Sequence, residues 1–131
     1  MKNTAYILLF DDELSRFKSL KEKAAGFAKL IQADAAEISW CETVKTFTSF
    51  DKDQLDHFTL IMLDHDTPEM EDAGIICARH LIKAFEGSEG SRPVIWVHST
   101  NTPRAEQMKN EMADAGFRSY AESFPRLMRR L

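Results

Sequence analysis

Three places in this chain set several chemistry-bearing side chains next to one another: Asp11-Asp12, Asp64-His65-Asp66 and His98-Ser99-Thr100-Asn101. Each follows directly on a short apolar run, so each is expected where a buried strand ends. Four carboxylates drawn together raise one another's pKa and do not all stay ionised without compensation. A hard divalent cation supplies that compensation. Mg²⁺ takes oxygen ligands, usually one or two carboxylates with waters and substrate phosphate oxygens. The pattern therefore predicts a Mg²⁺ or Mn²⁺ site, with Asp11, Asp12 and Asp64 around the ion and Asp66 assisting. Taken singly, Asp12 and Asp66 could equally cap the helices that follow them.

The third cluster has a different character. Residues 99–102 open a helix, where free backbone N–H groups and the dipole favour an anion. Ser99 and Asn101 are candidates to hold a phosphate there, and Asn101 could also serve as a helix cap. Arg16, one helical turn past Asp12, could reach the same phosphate or form a surface ion pair. His98 and His65 each sit just past an apolar strand beside carboxylates. With Asp66 they are the candidate catalytic groups, since a histidine near neutral pH can act as general acid or base. Alone, either would read as a structural histidine. His57 and His80 lack such company and are expected to be structural or exposed.

These clusters matter only if the elements bring them together. Residues 6–10 (YILLF), 58–63 (FTLIML) and 93–97 (PVIWV) are apolar runs of strand length. Ile38 to Cys41 predicts a shorter strand, and residues 117–121 a weak last one. Between them, Leu14, Phe17, Leu20, Ala24, Phe27 and Ile31 recur at helical spacing and predict one helix. Val44, Phe47 and Phe50 predict a short helix. Residues 73–86 predict another, and Thr102-Pro103 opens one whose buried stripe is Ala105, Met108, Met112 and Ala115, with Gly116 ending it. Residues 87–91 read as a loop, and Pro125 starts a short last helix over 126–131. Strands that are apolar throughout are buried on both faces. The expectation is a three-layer α/β domain, an open parallel five-stranded sheet with helices on both faces. In such sheets ligands bind beyond the carboxyl ends of the strands, where all three clusters fall.

The chain has 131 residues, 17 Lys and Arg against 21 Asp and Glu, and 44% hydrophobic residues. That size fits one domain over 1–131, with no room for a fused output domain. No apolar run approaches the roughly 18–20 residues that span a bilayer, and the start does not resemble a signal peptide. No membrane role and a cytoplasmic location are expected. Cys41 and Cys77 stand far apart in sequence and are expected to be reduced, buried thiols. Charge is uneven: residues 1–90 carry 10 basic and 17 acidic side chains, residues 91–131 carry 7 and 4. The basic end could touch nucleic acid or an acidic protein partner, but a solvated last helix is the favoured reading.

The layout resembles a response-regulator receiver domain: an acid pair after the first strand, an Asp after the third, a Ser or Thr after the fourth. Asp64-His65-Asp66-Thr67-Pro68-Glu69-Met70 resembles that family's Asp-x-x-x-Pro-x-Met stretch. The resemblance implies a flavodoxin-like strand order 2-1-3-4-5, Mg²⁺ on Asp11, Asp12 and Asp64, and Asp64 as the acceptor of a phosphoryl group in a signalling switch. Receivers also carry a lysine after the fifth strand. Residues 117–124 read FRSYAESF, with no lysine, and Arg118 lies too early to replace it. A closer likeness is to cyclic-phosphate processing receiver-like domains. It rests on Asp11-Asp12 with Arg16, on Leu63-Asp64-His65-Asp66, on His98-Ser99-Thr100-Asn101, and on Met108. That resemblance implies a metal-dependent phosphoesterase acting on cyclic phosphates of nucleotides or RNA ends. Thr67-Pro68-Glu69 departs from the Leu-Gly expected after the third strand. Asp64-His65-Asp66-Thr67 also fits the Asp-x-Asp-x-Thr motif of haloacid-dehalogenase-type phosphatases. Those enzymes place their metal-binding acids downstream, whereas here the acid pair lies upstream.

Overall fold

A computed structural model describes residues 3–64, 73–98 and 102–131. The elements run β1 (Thr4–Phe10), α1 (Leu14–Glu22), α2 (Ala24–Leu30), β2 (Ala35–Cys41), α3 (Val44–Ser49), α4 (Lys52–Asp56), β3 (Leu60–Asp64), α5 (Ala73–Ala84), β4 (Val94–His98), α6 (Thr102–Asp114), β5 (Ser119–Ala121) and α7 (Phe124–Arg130). The five strands form one parallel sheet in the order β2-β1-β3-β4-β5. The expected architecture and strand order are both present.

Two cores explain why the central strands are apolar throughout. Leu8, Phe10, Ile61, Leu63, Ile95 and Val97 face one side, where Phe47, Leu81, Met108 and Met112 cover them. Ile7, Leu9, Leu60, Met62 and Trp96 face the other, against Leu20, Phe27 and Leu127. Consecutive strand residues point to opposite faces, so burial of both faces removes the polar half of the alternation. The edge strands differ. β2 is seven residues long rather than the short strand expected, because every residue from Ala35 to Cys41 registers against β1. Its exposed Glu37 and Ser39 interrupt the apolar run and hide the strand's first half.

The single helix expected over 14–31 is two. Lys23 leaves helical backbone at φ −103 and ψ 20 between α1 and α2. There its ammonium donates to the Met128 carbonyl of α7, and Phe27 beyond the break packs against Trp96. The break thus lets one stripe follow the twisted sheet and meet the last helix. Residues 43–56 likewise hold two short helices, separated by Phe50 and Asp51, with Asp51 and Gln54 forming a capping box on the second. Gly116, at φ +93, ends the turn after α6 in a conformation that L side chains rarely adopt. Arg92 donates to the carbonyls of Phe85, Ser88 and Ala115 and ties that turn to the end of α5.

Both cysteines are free and buried. Burial pushes the Cys41 thiol up to about 11 and Cys77 higher still. A thiol reacts as its thiolate, so a soluble disulfide reagent at mildly alkaline pH should label neither cysteine in the native chain and both after denaturation. Rapid native labelling would contradict this packing.

Candidate functional site

β1, β3 and β4 are neighbours and parallel, so their carboxyl ends meet at one rim. Asp64 lies in register with His98, and Asp11 follows the last residue of β1. Among the described residues, Asp11, Asp12 and Asp64 each offer a carboxylate oxygen, and these oxygens lie within 4.8 Å of one another. The three expected metal ligands are therefore together.

Asp11 is the fixed point. It is 0% exposed. Its backbone N–H donates to the Cys41 carbonyl at 3.1 Å, extending the ladder to β2 by one residue. The Trp40 indole N–H donates to the Asp11 carbonyl at 2.7 Å, and Trp40 is stacked on Phe17. The Asp11 Oδ1 accepts from the Glu13 backbone N–H at 2.9 Å. Backbone and carboxylate are thus both held before any ligand arrives.

Arg16 completes the cluster from α1. Its Nη1 lies 3.2 Å from Asp11 Oδ2 and 3.6 Å from Asp64 Oδ2, and its Nη2 lies 3.8 Å from Glu13. The guanidinium also sits over the ring of Phe124, 6.0 Å from its centroid. Arg16 is thus turned inward and bridges the ends of two strands. Among the described residues, Asp11 and Asp64 share this one guanidinium, with Glu13 at its other side. Burial pushes the Asp11 carboxyl above its ordinary range, against the opposing pull of Glu13 N–H and Arg16.

His98 is 1% exposed and packs on Phe124. Desolvation, reinforced by Arg16, lowers it to about 3, against a hydrogen bond to the Phe10 backbone. The ring is therefore neutral near pH 7. Its Nε2 is buried with no hydrogen-bond partner and faces Asp11 Oδ2 at 3.8 Å. Three carboxylate oxygens so close together are a donor set that could hold a divalent cation. Oxygen ligands suit Mg²⁺ or Mn²⁺, and a polar group otherwise left unpaired borders the place.

His65, Asp66, Ser99 and Asn101 lie outside the described residues. His57 is exposed, its ring tilted against Tyr6, whereas His80 is held in the fold by a 2.8 Å contact of its Nε2 with the Phe50 carbonyl. Arg118 lies at the opposite end of the sheet and contacts the Tyr120 hydroxyl. In the basic last helix, Arg126 and Arg130 pair with Glu122. Met108 is a core residue. Sequence reasoning missed Trp40 and Phe124. A tryptophan one residue before the end of a strand and a phenylalanine opening a late helix carry no local signal of a role near Asp11.

A family model described as the cyclic-phosphate processing receiver domain matches residues 6–114. No curated protein matches the chain. Among solved structures, a de novo designed Rossmann 2x3 fold protein aligns with a TM-score of 0.58 at 8% identity, covering 95% of this chain and 84% of its own. That likeness is one of fold. A response regulator receiver domain protein from Clostridium thermocellum aligns with a TM-score of 0.47 at 13% identity, over 96% and 90%.

Because burial of the Asp11 charge outweighs its partners, Asp11→Asn should stabilise the chain in the presence of a chelator. Chemical unfolding measures this. A loss of stability would mean that Arg16 already compensates the carboxylate fully.

Proposed function

The chain belongs to the cyclic-phosphate processing receiver domain family, and from that premise we propose that it is a metal-dependent phosphoesterase that opens cyclic phosphates of nucleotides or RNA ends. The observation that carries this reading is the meeting of Asp11, Asp12 and Asp64 within 4.8 Å, with Arg16 against Asp11 and Asp64 and His98 Nε2 facing Asp11.

In this reading Asp11, Asp12 and Asp64 hold Mg²⁺ or Mn²⁺. When bound, such an ion polarises a phosphoryl oxygen and lowers the pKa of water. The chain's own groups do the rest. The buried carboxylates fix position, because Asp11 is tied through Trp40, Cys41 and Glu13 before substrate arrives. Arg16 is the counter-charge of the cluster, and with a cation held by the carboxylates its guanidinium would be available to pair with phosphate oxygens. Ser99 and Asn101 extend the phosphate cradle, and His65 and Asp66 are proton carriers from the end of β3. Ring opening adds a water oxygen to phosphorus, breaks one ring P–O bond and leaves the proton on the released ribose hydroxyl. The product is a phosphomonoester.

The test is incubation with Mg²⁺ or Mn²⁺ and a panel of 2′,3′-cyclic and 3′,5′-cyclic nucleotides. Turnover should depend on the metal and be lost in Asp64→Asn. Arg16→Met should lower turnover while tightening divalent-ion binding about fivefold, as removal of roughly 1 kcal/mol of competing charge implies. No turnover with any metal, or a stable acylphosphate on Asp64 after treatment with a small phosphodonor, would replace this reading with that of a signalling switch.

A further inference from the structure

A cavity of about 730 Å³ lies at the other end of the sheet from the carboxylate rim. It is lined by the end of α2, the first residues of β3 and β4, all of β5 and the last turn of α7. Leu60 and Val94, register partners at the start of their strands, stand four residues before Asp64 and His98. At about 3.3 Å per residue that is roughly 13 Å, so the cavity is separate from the rim. Its volume falls in the range of small-molecule sites.

The lining has an apolar part and a cationic part. Leu30, Leu60, Val94 and Trp96 supply the apolar floor. Tyr120 is the register partner of Trp96 on the edge strand, and their ring centroids are 6.2 Å apart. Trp96 is buried, whereas Tyr120 is 48% exposed and so offers aromatic surface beside that floor. The charged groups differ in what already holds them. Arg130 pairs with Glu122 and lies over the Trp96 ring at 5.7 Å, so it forms a wall. Lys109 has a surface pair with Glu106 on its own helix, a contact that contributes little. Arg118 has no carboxylate partner among the described residues, and its guanidinium touches the Tyr120 hydroxyl at 3.5 Å. The groups left to bind are a guanidinium, an ammonium and an aromatic ring.

Each of these selects part of an occupant. A guanidinium binds phosphate through parallel N–H bonds, and two cations suit a doubly charged phosphate. An aromatic ring stacks a nucleobase of any kind. The cavity is too large for phosphate alone. We infer that it is a ligand site for a nucleoside monophosphate, with the phosphate on Arg118 and Lys109 and the base against Tyr120 over the apolar floor. The inference stands apart from the metal-site reading, because Asp11, Asp12 and Asp64 take no part in it.

The two tryptophans report on the two ends of the sheet. The Trp40 indole N–H is bonded to the Asp11 carbonyl, whereas Trp96 lines the cavity. Two-dimensional NMR of the indole N–H groups tests the proposal on the full chain, in chelator, titrated with 5′-AMP or 5′-UMP. Trp40→Phe assigns the two signals. The Trp96 signal should shift and saturate while the Trp40 signal stays. Arg118→Met should weaken AMP binding about tenfold, and Tyr120→Ala about fivefold. Both side chains are exposed, and the unliganded indole signals check that each variant is folded. Adenosine and inorganic phosphate, each lacking half of the ligand, should bind more weakly than AMP. No saturable shift of the Trp96 signal with either nucleotide would overturn the inference. So would a shift of the Trp40 signal alone, an affinity unchanged in Arg118→Met or in Tyr120→Ala, or adenosine or phosphate binding as tightly as AMP.

Discussion

The fully buried charge of Asp11 is the constraint around which this rim is organised. An isolated carboxylate removed from water is costly, and every neighbour answers that cost. Glu13 N–H donates to one oxygen, and Arg16 reaches both. The Trp40 indole and the Cys41 carbonyl hold the backbone so that the carboxylate cannot swing outward. These contacts still leave the carboxyl group above its ordinary range. That residual imbalance is what the proposed cation would relieve.

The sheet turns that local imbalance into a site. In a parallel order of β1, β3 and β4, the three strands that are buried on both faces all end at the same rim. Asp64 and His98 are register partners, so the side chains approach through main-chain pairing rather than by flexible reach. α7 closes the rim from the other direction. Its Phe124 lies under both Arg16 and His98, and its own end is fixed by Lys23 at the break between α1 and α2.

Much of this is legible in the residues. The runs at 6–10, 58–63 and 93–97 announce strands because both faces are buried. The polar clusters that end them announce a site because parallel strands share one carboxyl end. What the sequence conceals is set by tertiary contact. The break at Lys23 has no proline or glycine at that position, and arises where one apolar stripe must follow a twisted sheet and meet α7. β2 is masked by Glu37 and Ser39 on an edge strand. Trp40 and Phe124 act near Asp11 only because pairing with β1 and docking of α7 carry them there. His98 reads in sequence as a histidine near carboxylates; only the fold shows a nitrogen facing Asp11 with nothing to bond.

The central claim is that the strand ends form a cation site in which Arg16 stands as the counter-charge until an ion arrives. An anomalous-difference map from crystals grown with Mn²⁺ tests this most directly. The account predicts one peak bonded by Asp11, Asp12 and Asp64, with the Arg16 guanidinium moved off Asp11 Oδ2. A map with no peak at the rim, and Arg16 still seated between Asp11 and Asp64 at saturating Mn²⁺, would contradict it.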